Sequence, residues 1–265
     1  MSKLLVHPQL PGAEGRIHAI SPESAGWRYV GFEVFRLSAG QRLSRMIAEG
    51  REACLVLVSG RAEIVADGAD LGVVGRRSSP FDGSPWSVYA PAATRIDIRA
   101  EDEVELALCS APGTGALPLR VIPPEAVGLE TRGTATNTRH VRNILPEGEA
   151  AESLLVVEVI TPGGHWSSYP SHKHDTDDFP NETYLEETYY HRLARPGFAL
   201  QRVYTDDRSL DETMAVADRD VVLVPRGYHP VGAPHGFDLY YLNVMAGPKR
   251  AWRFRFDPDQ KWLLG

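Results

Sequence analysis

Glu52 and Glu187 stand 135 residues apart, and each opens an apolar, strand-like run: Ala-Cys-Leu-Val-Leu-Val-Ser-Gly60 after the first, Thr-Tyr-Tyr-His-Arg-Leu193 after the second. Ser87-Val-Tyr-Ala-Pro91 and Val221-Val-Leu-Val-Pro225 repeat the relationship at an offset of 134. Each half then closes on one more run. Val104-Glu-Leu-Ala-Leu-Cys109 leads to Ala111-Pro-Gly113, and Asp238-Leu-Tyr-Tyr-Leu-Asn-Val244 leads to Ala246-Gly-Pro248. A near-constant offset of half the chain marks one domain plan written twice. The 24 glycines and 20 prolines cut the chain into short pieces, and short strands with frequent turns build sandwiches or barrels rather than parallel α/β units. The expected fold is all-β, with two tandem β-barrel domains at 1–122 and 123–265. The boundary falls at Val121-Ile-Pro-Pro-Glu-Ala-Val-Gly128, where two prolines interrupt regular structure.

Charge and cysteine usage exclude several classes of partner. A net charge of −7 with no basic block argues against nucleic acid. No apolar stretch approaches the ~18 residues a membrane helix needs, and Met-Ser-Lys-Leu-Leu-Val-His-Pro8 has no apolar core of secretory length. Cys54 and Cys109 lie in apolar runs and form no disulfide framework, so a cytoplasmic location is expected. Strand edges in barrels of this kind suit pairing of copies, so a homo-oligomer is an open expectation.

Six of the nine histidines fall between His165 and His235. Within Ser167-Ser-Tyr-Pro-Ser-His-Lys-His-Asp175, His172 and His174 are two apart, and on an extended segment such residues face the same side. Two neutral imidazoles converging from one face begin a transition-metal site. Glu187 offers a carboxylate, with Glu186 and Glu182 as alternatives, and His229 follows a Pro-Arg-Gly turn at the end of a strand. His172, His174, Glu187 and His229 are therefore the candidate ligands of one divalent metal ion. Three imidazoles and a carboxylate suit zinc or manganese, and also accommodate iron or nickel. Subtracting the repeat offset from the three histidines gives Leu37, Ala39 and Arg95, none of them a ligand. The site is expected in the second half alone.

A His-x-His pair, a Glu before an aromatic-aliphatic strand and a later His after a Pro-x-Gly turn resemble the cupin superfamily, and the chain resembles a bicupin, two tandem double-stranded β-helix barrels. The thirteen-residue step from His174 to Glu187 is longer than that pattern's gap, and Arg219 occupies a usual glycine position. The His172 segment, Asn181-Glu-Thr-Tyr-Leu-Glu-Glu187, Val222-Leu-Val-Pro-Arg-Gly-Tyr-His-Pro230 and Tyr240-Tyr-Leu-Asn-Val-Met-Ala-Gly-Pro248 are similar to the 5-deoxy-glucuronate isomerase family of bacterial myo-inositol catabolism. That resemblance implies isomerisation of 5-deoxy-D-glucuronate to 2-deoxy-5-keto-D-gluconate, a small sugar acid as substrate, and no redox cofactor. An iron-dependent cupin dioxygenase and a non-catalytic sugar-acid binder are the competing readings.

Such an isomerisation needs a proton carrier beside the metal and an anchor for the substrate carboxylate. Glu182, Asp178 and Tyr241 are the candidate catalytic residues, with Asp175 also near the ligand segment. Arg202, Arg226 and Asn243 are the candidate substrate contacts, since guanidinium groups grip carboxylates with two parallel hydrogen bonds. His165, His191 and His235 are left as orienting or structural residues.

Overall fold

The computed structural model describes residues 2–264. Among them the α-helix is confined to Pro22–Ala25, and the other helical turns are short 3-10 segments. The chain forms two compact units. One holds Pro8–Gly128 and Ile144–Val156; the other holds residues up to His7, Leu129–Asn143, and the chain from Val157 onward. The main break thus lies at Gly128/Leu129 rather than at residue 122, and two short segments group with the opposite half. Neither contains one of the runs that set the repeat offset, so the offset does not reach them.

The first unit has a six-stranded sheet in the order Arg120–Ile122, Ser87–Ala90, Arg51–Ser59, Val104–Pro112, Gly31–Leu37, Arg16–Ile20. Its second sheet runs Arg42–Met46, Arg95–Ala100, Ala62–Ala66, Ala69–Val74. The second unit repeats this order. Its large sheet runs Leu5–Val6, Val221–Val224, Glu186–Leu193, Leu239–Ala246, Leu155–Thr161, Arg139–Leu145, with Gly128–Arg132 added at the end. Its small sheet runs Trp166–Ser167, Val231–Gly232, Ala199–Tyr204, Asp211–Val216. The strands opened by Glu52 and Glu187 occupy the same place in the two sheets, as the repeat predicts, and the all-β tandem-barrel expectation holds.

The register corrects one detail of the repeat. Topologically, the segment carrying His172 and His174 lies between the strands Trp166–Ser167 and Glu186–Leu193. Its counterpart in the first unit is the short link Ile47-Ala-Glu-Gly50, between Arg42–Met46 and Arg51–Ser59, and not Leu37 and Ala39. The offset slips here because the second unit inserts residues between its histidines and its glutamate. Leu37 instead sits in the first unit's core, and Arg95 pairs with Asp97 on the outward face of its strand.

That core is apolar except where the Arg45 guanidinium lies over the Phe35 ring. Phe35, Leu43, Leu55, Ile96, Ile98 and Leu106 close on one another and leave no volume for water. Each such side chain contributes roughly 1.5–3 kcal/mol through burial. Cys54 and Cys109 face each other across neighbouring strands as free thiols, and burial pushes the Cys54 thiol up to about 12. Neither is poised to react.

Glu52 is fully buried and has a structural partner set of its own. Its Oε1 accepts from the backbone N–H of Ser153 (2.5 Å) and Leu154 (2.6 Å), and its Oε2 from the N–H of Glu152 (2.7 Å) and the hydroxyl of Tyr89 (2.5 Å). Four donors on one carboxylate satisfy backbone groups that burial would otherwise leave unpaired.

Candidate metal centre

In the second unit, alternation along the strand Glu186–Leu193 sets Glu187, Tyr189 and His191 on one face. The rings of Tyr189 and His191 stack at 6.0 Å, and the Tyr189 ring lies 5.8 Å from that of His229. His172 and Lys173 pair with Phe256 and Arg255 near the C-terminus, and the same alternation separates the histidines from the lysine between them. Lys173 donates to Asp175 at 2.6 Å, while the rings of His172 and His174 lie 4.8 and 4.9 Å from that of His229.

His229 reaches the cluster through the turn before it. Gly227 has φ +89°, and a Cβ there would stand 2.4 Å from the carbonyl oxygen of Tyr204, so only glycine fits. The Gly227 N–H donates to Asp175 Oδ2 at 2.9 Å, which ties the turn to the segment of His172 and His174. Arg219, at the position where the cupin pattern has glycine, adopts φ +70°. The left-handed backbone is kept although the glycine is not.

The ligand atoms of His172, His174 and His229 lie within 4.8 Å of one another, and all three residues are buried. Glu187 Oε2 stands 3.1 Å from His174 Nε2 and 3.2 Å from His229 Nε2. Hydrogen bonding fixes the tautomers of two rings. Nδ1 of His174 faces the carbonyl of Leu185 at 3.1 Å, and Nδ1 of His229 faces that of Gly227 at 2.8 Å. A carbonyl only accepts, so Nδ1 carries the proton and neutral Nε2 presents a lone pair. Two lone pairs and a carboxylate oxygen then meet at hydrogen-bond range, and His229 Nε2 has no hydrogen-bond partner. With both rings neutral, a cation among these acceptors relieves their repulsion, so the residues fit a divalent metal ion.

Burial depresses the titration of His172 well below the ordinary range, with the neighbouring His229 and His174 adding to the effect. Burial also brings His229 down to about 4, against the attraction of Glu187. For His174 burial acts downward too, but the hydrogen bond and charge of Glu187 and the Leu185 carbonyl outweigh it and raise the group. His191, hydrogen-bonded through Nε2 to Gln201 at 2.8 Å, is held at about 4 by burial.

A narrow cavity adjoins His172 and is lined by Arg132, Arg139, Ser168, Tyr189, Tyr241, Asn243 and Trp252, with Val141 and Val159. Its free volume is about 20 Å³, room for roughly one water. Burial raises the hydroxyls of Tyr189 and Tyr241, which therefore stay protonated. Tyr189 Oη and Ser168 Oγ share a hydrogen bond of 2.9 Å.

Several expected residues lie elsewhere. Arg202 makes a two-pronged pair with Asp211 on the neighbouring strand (2.8 and 2.7 Å), and Arg226 is exposed near Ser209; neither lines the cavity. Glu182 is buried but committed to the loop: its Oε1 accepts from the N–H groups of Asp175 (2.8 Å) and Thr176 (3.1 Å). Asp178 is exposed and paired with Arg255. Tyr241 and Asn243 do line the cavity, as expected from their shared strand face. Arg132, Arg139, Ser168 and Trp252 also line it, although no repeat or metal spacing in the sequence marks them out.

A model of the KduI/IolB family matches residues 4–263. Relatives from Geobacillus kaustophilus and Bacillus subtilis, each named 5-deoxy-glucuronate isomerase, are 54% and 45% identical over all of this chain and 96% and 99% of their own lengths. The crystal structure of an IolB-like protein from Salmonella typhimurium superposes with a TM-score of 0.96 at 53% identity, over all of both chains. A mutant of Bacillus subtilis oxalate decarboxylase superposes with a TM-score of 0.65 at 12% identity, over 97% of this chain and 80% of its own, a likeness of fold alone.

Proposed function

This chain belongs to the KduI/IolB family, and on that premise we propose that its second unit isomerises 5-deoxy-D-glucuronate to 2-deoxy-5-keto-D-gluconate. The observation that carries the chemistry is the meeting of two fixed Nε2 lone pairs with the Glu187 carboxylate, 3.1 and 3.2 Å away, beside a third buried imidazole. His172, His174, His229 and Glu187 would hold a divalent ion, which would supply Lewis-acid chemistry for the substrate's carbonyl end. Zinc or manganese is the proposed ion, since hard oxygen ligands and imidazoles both suit them.

The reaction moves a carbonyl by one carbon. The proton on C2 leaves, an enediolate forms, and C1 is protonated, with no net gain or loss of electrons. The chain's own contribution begins with the carbonyls of Leu185 and Gly227, which hold two imidazoles in the ligating tautomer. Protonated Tyr241 and Tyr189 are suited to donate to the negative oxygen that develops in the enediolate. The arginines of the cavity match an anionic substrate.

Reaction under anaerobic conditions in D₂O tests the reading. Product should form without oxygen and carry deuterium at C1, chelation should stop turnover, and divalent metal should restore it. A strict oxygen requirement, or undiminished turnover by demonstrably metal-free protein, overturns it.

A further inference from the structure

Arg139 is a charge without a counter-charge. Its Nη1 donates to the carbonyls of Asn137 (3.2 Å) and Tyr169 (3.5 Å), while its Nε and Nη2 make no hydrogen bond and no carboxylate lies within ion-pair distance among the described residues. Three other partly buried or strand-borne arginines of this unit are matched: Arg142 with Glu158, Arg192 with Asp218, Arg202 with Asp211. Arg132, which shares the cavity, is held by Glu130 at 2.9 Å and lies over the Trp252 ring. A half-buried guanidinium cannot shed its proton, so leaving it unpaired costs stability unless an anion arrives. Burial indeed pulls the Arg139 group down from its ordinary value.

The fold also makes room for this side chain. Gly133 has φ +78°, and a Cβ there would stand 2.2 Å from the Asn137 carbonyl oxygen and 2.7 Å from Arg139 Nη1. The loop is therefore shaped around the carbonyl that Arg139 grips and around the guanidinium itself. Nε and Nη2 together form the planar, two-donor edge that matches a carboxylate. They belong to a residue lining the same cavity as His172, Tyr189, Tyr241 and Asn243.

We propose that Arg139 is the specificity-determining residue of this site, and binds the C6 carboxylate of the substrate while the carbonyl end faces the imidazole cluster. The proposal rests on the isomerase reading for the identity of the acid, but the binding of the acid is measured separately from turnover. Selection of a uronate over a neutral aldose then depends on one guanidinium, with Arg132 a weaker contributor because Glu130 already answers its charge.

The test uses the metal-loaded protein and two probes that cannot isomerise: C1-reduced 5-deoxy-glucuronate and its C6 carboxamide, with affinities read by calorimetry. Arg139→Gln should weaken the acid on the order of 10²-fold, as loss of one partner of a buried charge pair does, and leave the carboxamide within about threefold. Arg139→Lys should fall between, since it keeps the charge and loses the fork. Equal affinity for the acid in wild type and Arg139→Gln overturns the proposal. So does an equal loss for both probes, which marks a structural role. If the acid preference depends on Arg139 while wild type turns over no 5-deoxy-glucuronate, the anchor stands and the isomerase reading falls. If turnover is present and the acid-to-carboxamide ratio is unchanged in the variant, the reverse holds.

Discussion

Glu52 and Glu187 hold the same position in the two copies of the strand plan, yet their carboxylates meet opposite kinds of partner. Glu52 is surrounded by donors, three backbone N–H groups and a phenol. Glu187 faces two imidazole nitrogens whose protons are engaged on the far side of each ring. One carboxylate is satisfied by the protein alone; the other is the one we propose a cation completes.

Glu52→Gln should therefore cost stability and leave metal content alone. An amide replaces one accepting oxygen with an NH₂ that faces other donors, so at least one buried donor loses its partner, worth about 1–3 kcal/mol. Thermal unfolding should show a lower midpoint, while metal analysis should still find one ion per chain. A folded variant that has lost its metal contradicts this division of roles.

Wild-type protein should hold one tightly bound divalent ion per chain, and His172→Ala combined with His174→Ala should bring that number near zero. The first unit has only Ile47-Ala-Glu-Gly50 where the second has its paired histidines, and its interior is closed by apolar side chains. A second ion that survives the double substitution refutes the prediction.

Gly227→Ala should weaken metal binding as well as the fold. The alanine must take a φ of +89° with its Cβ 2.4 Å from a backbone oxygen, so the turn shifts and carries His229 with it. Strain of this kind is worth about 1–3 kcal/mol. Competition with a chelator should show a clear rise in the dissociation constant, and an unchanged value contradicts the turn's role in placing His229.

Metal-depleted protein should lose stability as pH falls from about 6.5 to about 4. Histidines of the unfolded chain titrate near 6.5, whereas His229 and His191 titrate at about 4 in the folded chain and His172 is depressed as well. The unfolded state binds more protons across that window, so stability rises with pH through it and is complete above it. His174 opposes the trend: its raised value adds stability below 6.5 that fades as pH rises through its folded value. Three depressed groups outweigh one raised group. An unfolding midpoint that is flat or rises on acidification contradicts the assignment.

The repeat was legible because strands of a β-barrel carry their signals locally, in an opening glutamate, an apolar run and a proline at the end. His172, His174 and His229 were legible for the same reason. Arg202 was misplaced although its strand held the signal: Ala199, Gln201 and Val203 are buried in alternation, and this puts Arg202 on the opposite face, beside Asp211. Arg139 was passed over because it precedes the repeated strands of the second half. Its importance lies in what fails to pair with it, and pairing across distant segments is not written into any local pattern. Glu182 and Asp178 were close in sequence to the histidines, but the loop that joins them to Glu187 uses Glu182 to satisfy its own N–H groups.

The outermost place in the second unit's large sheet is filled by Leu5–Val6, paired with Val221 and Val222, and the N–H of Leu223 donates to the carbonyl of Leu4 at 2.8 Å. In the first unit the same place is taken by Arg120–Ile122, a segment deep within the chain. The two sheets are thus edged by different pieces of chain, Leu5–Val6 in one and Arg120–Ile122 in the other. Removal of residues 2–7 would bare a row of unpaired N–H and C=O groups along Val221–Val224, the kind of edge to which another strand adds. A shortened chain is then prone to self-association and precipitation even with its histidine cluster intact.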